Sequence, residues 1–272
     1  MTERADARGR PPGARVSDNE RDRAYFLQTL ARGAAVLDLL ATHDHLTLKD
    51  ASQALDLDPS VIYRLMRTWT ATGYLDYDPT TKRYHPGLKL MRLATKTHST
   101  SGLPDIEERL QRVSRSVDQT ASFSVLAGRF VLYVARVVAN KALMYQVEIG
   151  KTLPAYATSV GHVMLAHLPE EQLLELYPEP ALLGYTENTV RSREELLALL
   201  AEVREKGYAV NRGQLGAGIA AVAVPARDAR GQVVGAFSVA GPTEQFGNEE
   251  VYRRYLPALL EAAERPVEGR SK

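Results

Sequence analysis

The sequence contains no cysteine and no long hydrophobic run. With zero Cys in 272 residues, disulfides, thiol catalysis and thiolate metal sites are excluded. The most uniformly apolar run, residues 219–226, has the length of a strand and includes Pro225, whereas a membrane span needs ~18 apolar residues. The N-terminus has Pro11-Pro12-Gly13 where a secretory signal would be apolar. We therefore expect a cytoplasmic protein with no membrane partner.

The charge is unevenly distributed, although the formal net charge is only +1. Residues 1–100 contain 15 basic and 12 acidic side chains, and residues 101–272 contain 19 and 21. Residues 60–100 hold seven basic side chains against Asp76 and Asp78. A solvated helix face is the usual explanation of a charge run. A polyanionic partner is favoured only if these residues fall on a shape that binds nucleic acid.

Length and ordinary globular composition predict a small domain followed by a larger one. Residues 1–24 are polar, Arg-rich and interrupted by prolines, and predict a disordered arm. Residues 25–86 contain three helix patterns. The first begins at Thr29 as N-cap, the second at a Thr47–Asp50 capping box, and the third at Asp58 with Pro59 in its first turn. The buried stripe expected for the first helix is Leu30, Ala34, Leu37 and Ala41.

The third helix pattern ends at Gly73, and the hydrophobic period then switches to two, which predicts a hairpin ending near His85. The helix would present Ser60, Val61, Tyr63, Arg64 and Arg67 on its exposed face. A major groove ~12 Å wide admits one helix. Arg64 or Arg67 can pair with guanine, Ser60 with phosphate, Val61 with a thymine methyl and Tyr63 with either. Lys82 and Arg83 on the hairpin would contact phosphates, so the pattern predicts a winged helix-turn-helix.

Residues 87–104 predict a linker helix with an apolar side of Leu88, Met91 and Ala94, followed by a linker from Thr97 to Pro104. Residues 105–266 mix helix and strand patterns. The adjacent strands, including one expected from Leu143 to Val147, are joined by short turns. A mostly antiparallel sheet flanked by helices is therefore predicted, and the fold class is α+β.

Several ordered motifs resemble the isocitrate-lyase-regulator (IclR) family of bacterial transcriptional regulators. In the first half these are residues 30–40, Ser60-Val61-Ile62-Tyr63-Arg64-Leu65-Met66 and Gly73-Tyr74-Leu75. In the second half they are residues 153–162, 204–209, 218–225 and 238–242. The resemblance covers residues 25–265. It implies a winged helix-turn-helix, a linker helix used in dimerisation and a GAF-like effector domain, and hence a non-enzymatic regulator with no cofactor or metal.

The resemblance also implies an effector pocket opening at Ser159 and Val160, where backbone N–H groups at a helix N-terminus receive a carboxylate. The residues expected to face them are Tyr145, Asn211, Ala221, Ser238 and Ala240. Relatives that take very small polar acids have Asp, Cys, Ser and Ser at the last four positions. Asn211, Ala221 and Ala240 offer fewer polar partners, so we expect an aromatic or otherwise apolar acid rather than glyoxylate. The expected operator is palindromic, controls a catabolic operon, and binds a dimer or dimer of dimers.

Four other interpretations remain open from the residues alone. Ser159 and His162 are three residues apart, but the Gly-x-Ser-x-Gly elbow of a serine hydrolase is absent. His43 and His45 flank Asp44 without further metal-ligand spacing, and residues 213–218 are glycine-rich but lack the Gly-Lys-Ser/Thr of a nucleotide site. A small-molecule sensor that acts through protein partners without DNA is the remaining alternative.

Overall fold

A computed structural model describes residues 25–100, 102–139 and 148–267. The chain forms two compact units that divide between Thr97 and His98. The arm predicted at residues 1–24, the strand predicted from Leu143 to Val147 and the pocket residue Tyr145 lie outside the described residues. Within the described ranges, no helix is both long and apolar enough to cross a membrane.

The described part of the first unit has three helices and a two-stranded hairpin: α1 (Gln28–Leu40), α2 (Leu48–Leu55), α3 (Pro59–Ala71), β1 (Leu75–Asp78) and β2 (Arg83–Pro86). The capping box at the start of α2 is confirmed, because Thr47 and Asp50 each accept the other's backbone N–H. The start of α3 is also confirmed, with Asp58 accepting the N–H of Ser60 at 2.8 Å. Ile62, Met66 and Leu75 are fully buried in the core of this unit.

The prediction for α1 is wrong in its cap and in its buried face. The N-cap residue is Leu27, which makes no side-chain cap, rather than Thr29. Leu30 is 61% exposed, and the buried side of α1 carries Val36, Leu39 and Leu40 instead. Apolar residues lie on both sides of this helix, so the 3.6-residue period alone does not fix its orientation. Contact with α3 decides it, because Trp69 donates its ring N–H to the carbonyl of Gly33 at 2.9 Å.

The predicted linker is shorter than its composition indicates. Helix α4 (Leu88–Thr100) runs past the start of the Ser/Thr-rich stretch, and α5 (Leu103–Val117) begins soon after it. Gly102 precedes α5 in a left-handed conformation, with φ +69°. The loop-like composition of residues 97–104 was thus a poor guide, since only a short break separates the two helices.

The second unit contains the antiparallel sheet that the sequence predicted. Its described strands are β3 (Thr120–Ala127), β4 (Phe130–Val137), β5 (Thr152–Pro154), β6 (Ala209–Arg212), β7 (Ile219–Arg227) and β8 (Val233–Pro242). Their order in the sheet is β5-β4-β3-β8-β7-β6, with every pair antiparallel. The remaining helices are α6 (Ser159–Leu165), α7 (Glu170–Leu176), α8 (Arg193–Lys206), α9 (Asn248–Glu250), a π-helical turn (Val251–Tyr255) and α10 (Leu256–Glu264).

Each face of this sheet has its own hydrophobic core. Alternate residues such as Phe123, Val222 and Phe237 pack with α5 and α10 on one face. The other face packs with α6 and α8, through small residues that include Ala223 and Ala236. The small side chains leave room on this second face, beside the start of α6, and the cavity described below lies there.

Candidate functional sites

The outer side of α3 carries most of the side chains that the sequence assigned to DNA. Tyr63 is 49% exposed, and Arg64 and Arg67 are exposed as well. Val61 is half-buried and packs on the core of the unit. The hydroxyl of Ser60 donates to Asp58 at 2.5 Å, and these hydrogen bonds from Ser60 hold the pKa of Asp58 below its usual value. The hydroxyl hydrogen of Ser60 is thus bonded to the carboxylate that caps the helix.

A groove of about 390 Å³ separates α3 from the hairpin. It brings together Tyr63, Arg67 and Lys82, three of the predicted DNA-binding residues. Arg64 and Arg83 are exposed but are not among its lining residues. The groove also contains Lys49 and Tyr77, which the sequence analysis missed. Strand alternation gives no signal for Tyr77, because it shares a face of β1 with the buried Leu75 and is nevertheless 38% exposed.

The tip of the hairpin is held by an acidic side chain that turns inward. Asp78 accepts the N–H of Thr80 at 2.8 Å and the hydroxyl of Thr81 at 2.6 Å, and these bonds lower the pKa of Asp78. Lys82 follows in a left-handed conformation, with φ +56°. The two predicted basic residues of the wing, Lys82 and Arg83, are both exposed at this turn.

The second unit has a cavity of about 110 Å³ on the sheet face that packs with α6. Five of the predicted effector residues line it: Ser159, Asn211, Ala221, Ser238 and Ala240. The side chain of Val160 is 1% exposed and packs in the core, so any contact with an effector would be made by its backbone N–H, as the motifs imply. Tyr145 lies outside the described residues.

The strand register explains why residues that are distant in sequence share this cavity. Asn211 pairs with Ala221, Ala221 with Ala240, and Ala240 with Thr120, so these four form one row across β6, β7, β8 and β3. A neighbouring row is formed by Ser238, Ser122 and Arg136, where Ser122 pairs with both of the others. Paired residues project from the same face of a sheet. The cavity floor therefore combines methyl groups in its middle with polar groups towards both ends.

Arg136 is the one charged side chain among the described residues that line the cavity. Burial lowers the pKa of its guanidinium group, and the nearby phenol of Tyr133 acts in the opposite direction. Sequence analysis missed Arg136 because it predicted a sheet within residues 105–266 without assigning a role to a charged residue on one of its strands. The available signal was a charged residue inside that strand, since such a residue is rarely buried without a partner or a function.

Asn211 holds the wall of the cavity together. Its side-chain N–H donates to the carbonyl of Ala157 at 2.8 Å, and its side-chain oxygen accepts the N–H of Gln214 at 3.1 Å. These bonds fix the turn before α6 and the start of the loop 213–218. The loop is also bonded from the other side, because Thr186 donates to the carbonyl of Gly213 at 2.6 Å and Thr189 donates to the carbonyl of Gln214. Leu215 of this loop lines the cavity.

Ser159 and His162, the two side chains considered for a serine hydrolase, do not form a nucleophile–base pair. His162 is fully buried and donates its Nε2–H to the carbonyl of Tyr156 at 2.7 Å. Within the described ranges, no hydrogen bond joins its ring to Ser159, and Nδ1 has no partner. Burial lowers the pKa of His162 to about 4. The imidazole is therefore neutral and enclosed, as expected for a packed residue.

Both units of the chain match family models of known proteins. A model of the IclR helix-turn-helix domain matches residues 29–79, and a model of the C-terminal domain of bacterial transcriptional regulator IclR matches residues 98–267. The chain belongs to the IclR family of bacterial transcriptional regulators. It is therefore a DNA-binding regulator with an effector-binding domain, and not an enzyme.

Named IclR relatives align along most of their length. The HTH-type transcriptional regulator XynR of Escherichia coli is 30% identical over 231 residues, which are 83% of this chain and 90% of that protein. An IclR regulator from Alicyclobacillus acidocaldarius has 30% identity and a TM-score of 0.79, covering 88% of this chain and 97% of that one. An IclR homologue from Microbacterium hydrocarbonoxydans, solved in complex with 4-hydroxybenzoate, has 25% identity and a TM-score of 0.72, with coverage of 87% and 98%.

Proposed function

We propose that this regulator binds a two-fold symmetric operator of a catabolic operon and that a small aromatic acid in the cavity of its second unit changes its affinity for DNA. The DNA-binding part of the proposal rests on the groove between α3 and the wing, where Tyr63, Arg67 and Lys82 come together. Basic side chains there neutralise phosphates, while an exposed arginine on α3 reads base edges. Such a protein works where the chromosome is, in the bacterial cytoplasm.

The assignment of contacts follows from the position of each side chain. Arg64 lies on the outer side of α3 and outside the groove, and we assign it to a base edge. Arg67, Lys82 and Arg83 are assigned to phosphates that flank the recognised bases. Tyr63 can contact either, because its phenol is exposed. Ser60 and Val61 have minor roles, the first because its hydroxyl donates to the capping carboxylate of Asp58 and the second because it is half-buried.

The protein acts as a dimer or a dimer of dimers. One winged domain covers only a few base pairs, whereas a two-fold dimer reads two half-sites. In the single chain Leu88 is 77% exposed and Met91 is 67% exposed, and Ala94 continues the same apolar side of α4. Because a soluble helix rarely exposes such a side unless something covers it, we assign this stripe to the dimer seam.

The effector is an aromatic or otherwise apolar acid. The observation that carries this proposal is the cavity floor, in which Ala221 and Ala240 supply methyl groups between the polar positions. The side-chain nitrogen and oxygen of Asn211 both hydrogen-bond to backbone groups, so Asn211 offers a very small acid few further hydrogen bonds. A flat ring gains from the methyl surface. Support comes from the relative that holds 4-hydroxybenzoate.

Calorimetry with glyoxylate, pyruvate, benzoate and mono- and dihydroxybenzoates tests the effector class. We expect one or more of the aromatic acids to bind and the two small acids to bind far more weakly. Tight binding of glyoxylate with no binding of any aromatic acid would reject the aromatic effector and leave the regulator assignment intact. An Ala221→Asp variant is the matched control, because a carboxylate in the methyl row should abolish aromatic binding.

A further inference from the structure

We infer that Arg136 binds the carboxylate of the effector, so that the acid lies with its charged end towards β4 and its other end towards the start of α6. The inference rests on the proposed function, since it specifies how an acid occupies that cavity. It differs from the expectation drawn from the motifs, which placed the carboxylate at the backbone N–H groups of Ser159 and Val160. The two orientations are opposite.

The sheet geometry separates the two ends of the cavity. Arg136 is on β4, and Asn211, which bonds the turn before α6, is on β6. In the order β4-β3-β8-β7-β6 these strands are four steps apart, or about 19 Å at ~4.8 Å per step along a flat sheet. Helix α6 itself packs mainly against β7 and β8, between these two strands, so an acid bound at Arg136 extends its other end towards α6 rather than across the whole sheet.

The charges favour the β4 end. Arg136 carries the one formal charge among the described lining residues, and its guanidinium can bind a carboxylate through two parallel N–H donors. Ser122 lies directly across from it on β3 and adds a hydroxyl. Partial burial strengthens the attraction between opposite charges relative to water.

The α6 end offers weaker binding for an anion. Helix α6 has only seven residues, and Thr158 already accepts the N–H groups of Gly161 and His162, so this short helix offers an anion only the N–H groups of Ser159 and Val160 and no formal charge. What remains near this end is suited to a neutral polar group, because the hydroxyl of Ser159 can donate to it or accept from it. A phenolic hydroxyl on the far side of a ring fits that description.

The test compares each acid with its uncharged amide in the full-length protein. Binding of benzoate, 3-hydroxybenzoate and 4-hydroxybenzoate and of the matching benzamides is measured by calorimetry for the wild type, Arg136→Gln and Arg136→Lys. Arg253→Gln is the matched control, because it removes the same charge from an exposed surface pair. Thermal unfolding of each variant verifies that it is folded.

We expect Arg136→Gln to weaken acid binding by about ten- to a hundredfold and to narrow the preference for acid over amide. Arg136→Lys should retain part of the acid preference, and Arg253→Gln should retain all of it.

If Arg136→Gln binds the acids as tightly as the wild type does, this inference is overturned while the aromatic effector stands. The same holds if Arg253→Gln loses as much acid binding as Arg136→Gln does. Failure of every acid to bind the wild type overturns both this inference and the aromatic effector. If Arg136→Gln does not fold, Arg136→Lys provides the test. A lysine cannot form two parallel hydrogen bonds to a carboxylate, so an acid-over-amide preference in Arg136→Lys equal to that of the wild type also contradicts the inference.

Discussion

His162 is enclosed on α6 and carries a proton on Nε2 only, since that atom donates to the carbonyl of Tyr156. Its side chain is among the buried polar groups, and burial lowers its pKa to about 4. In the unfolded chain the same group has a pKa of about 6.5. Below pH 6.5 the unfolded state therefore takes up the proton first, and the native state is destabilised as the pH falls. Above pH 6.5 the stability that depends on neutral His162 is fully present.

We predict that the free energy of unfolding falls by about 1.4 kcal/mol per pH unit through this group between pH 6.5 and about 4. His162→Gln should lack that part of the slope, because its amide donates to the same carbonyl without titrating. Denaturant unfolding of both proteins at several pH values measures the difference. His167, whose pKa is also lowered by burial, is present in both and cancels. Identical slopes would show that His162 does not titrate as described.

Arg109 is another buried polar residue with a structural role, and unlike His162 it is charged. It pairs with Asp105 and donates to the carbonyls of Ala262, Arg265 and Pro266, so it fastens the end of α10 to α5. Arg109→Met should cost about 3 kcal/mol of stability, because buried carbonyl groups lose their donor. Arg112→Met on the same helix should cost at most about 1 kcal/mol, since its pair with Glu108 is exposed. Equal losses in chemical denaturation would contradict this account.

The roles of residues that interact with their sequence neighbours were predictable, and the roles of residues that contact distant parts of the chain were not. Asp58 and the Thr47–Asp50 capping box were identified because capping depends on a few neighbouring residues. Arg136 and Arg109 were missed because their positions depend on partner strands and helices far away in the chain. The methyl row through Ala221 and Ala240 came from the resemblance, and the register of β7 and β8 explains it physically.

At the scale of secondary structure elements, α3 and the wing carry the DNA-binding proposal, and their contacts should differ in kind. Arg64→Ala should cost about 1–3 kcal/mol at the specific site, because a base contact is lost. Lys82→Ala should weaken binding to all sequences and lower the salt slope by about one, because one phosphate contact is lost. Fluorescence anisotropy over a salt series, with specific and random duplexes, separates these effects. Arg112→Ala in the second unit is the control and should bind as the wild type does.

Unchanged affinity in both variants would remove the assigned surface from the DNA interface. If Lys82→Ala lost only specific binding, Lys82 would instead read bases.

The elements themselves were predictable to different degrees. The hairpin after Gly73 follows from its period-two pattern and turn residues, and strands of the second unit such as β4 and β7 follow from short apolar runs bounded by turn residues. The orientation of α1 was wrong because Trp69, on a different helix, selects which of two apolar sides is buried. The segment 97–104 was expected to be a loop from its Ser and Thr content, yet α4 extends to Thr100.

At the scale of the whole molecule, the proposed dimer rests on the exposed stripe on α4. Met91→Glu should shift the protein towards monomer, because the charge would be buried in the proposed seam, and DNA affinity should fall as the second half-site is lost. Sedimentation at micromolar concentration measures the mass, with Leu260→Glu on the exposed side of α10 as control. A wild-type monomer that binds the operator with undiminished affinity would contradict the prediction.

The central claim is that this chain recognises particular DNA sequences through its winged helix-turn-helix. The most direct test is to retain genomic fragments on the purified wild-type protein and to sequence them, with an Arg64→Ala, Arg67→Ala double variant in parallel. The account predicts enrichment of fragments that share an inverted repeat for the wild type and loss of that enrichment for the variant. Recovery of fragments no different from the input by the wild type would contradict it and would favour a sensor that acts through protein partners.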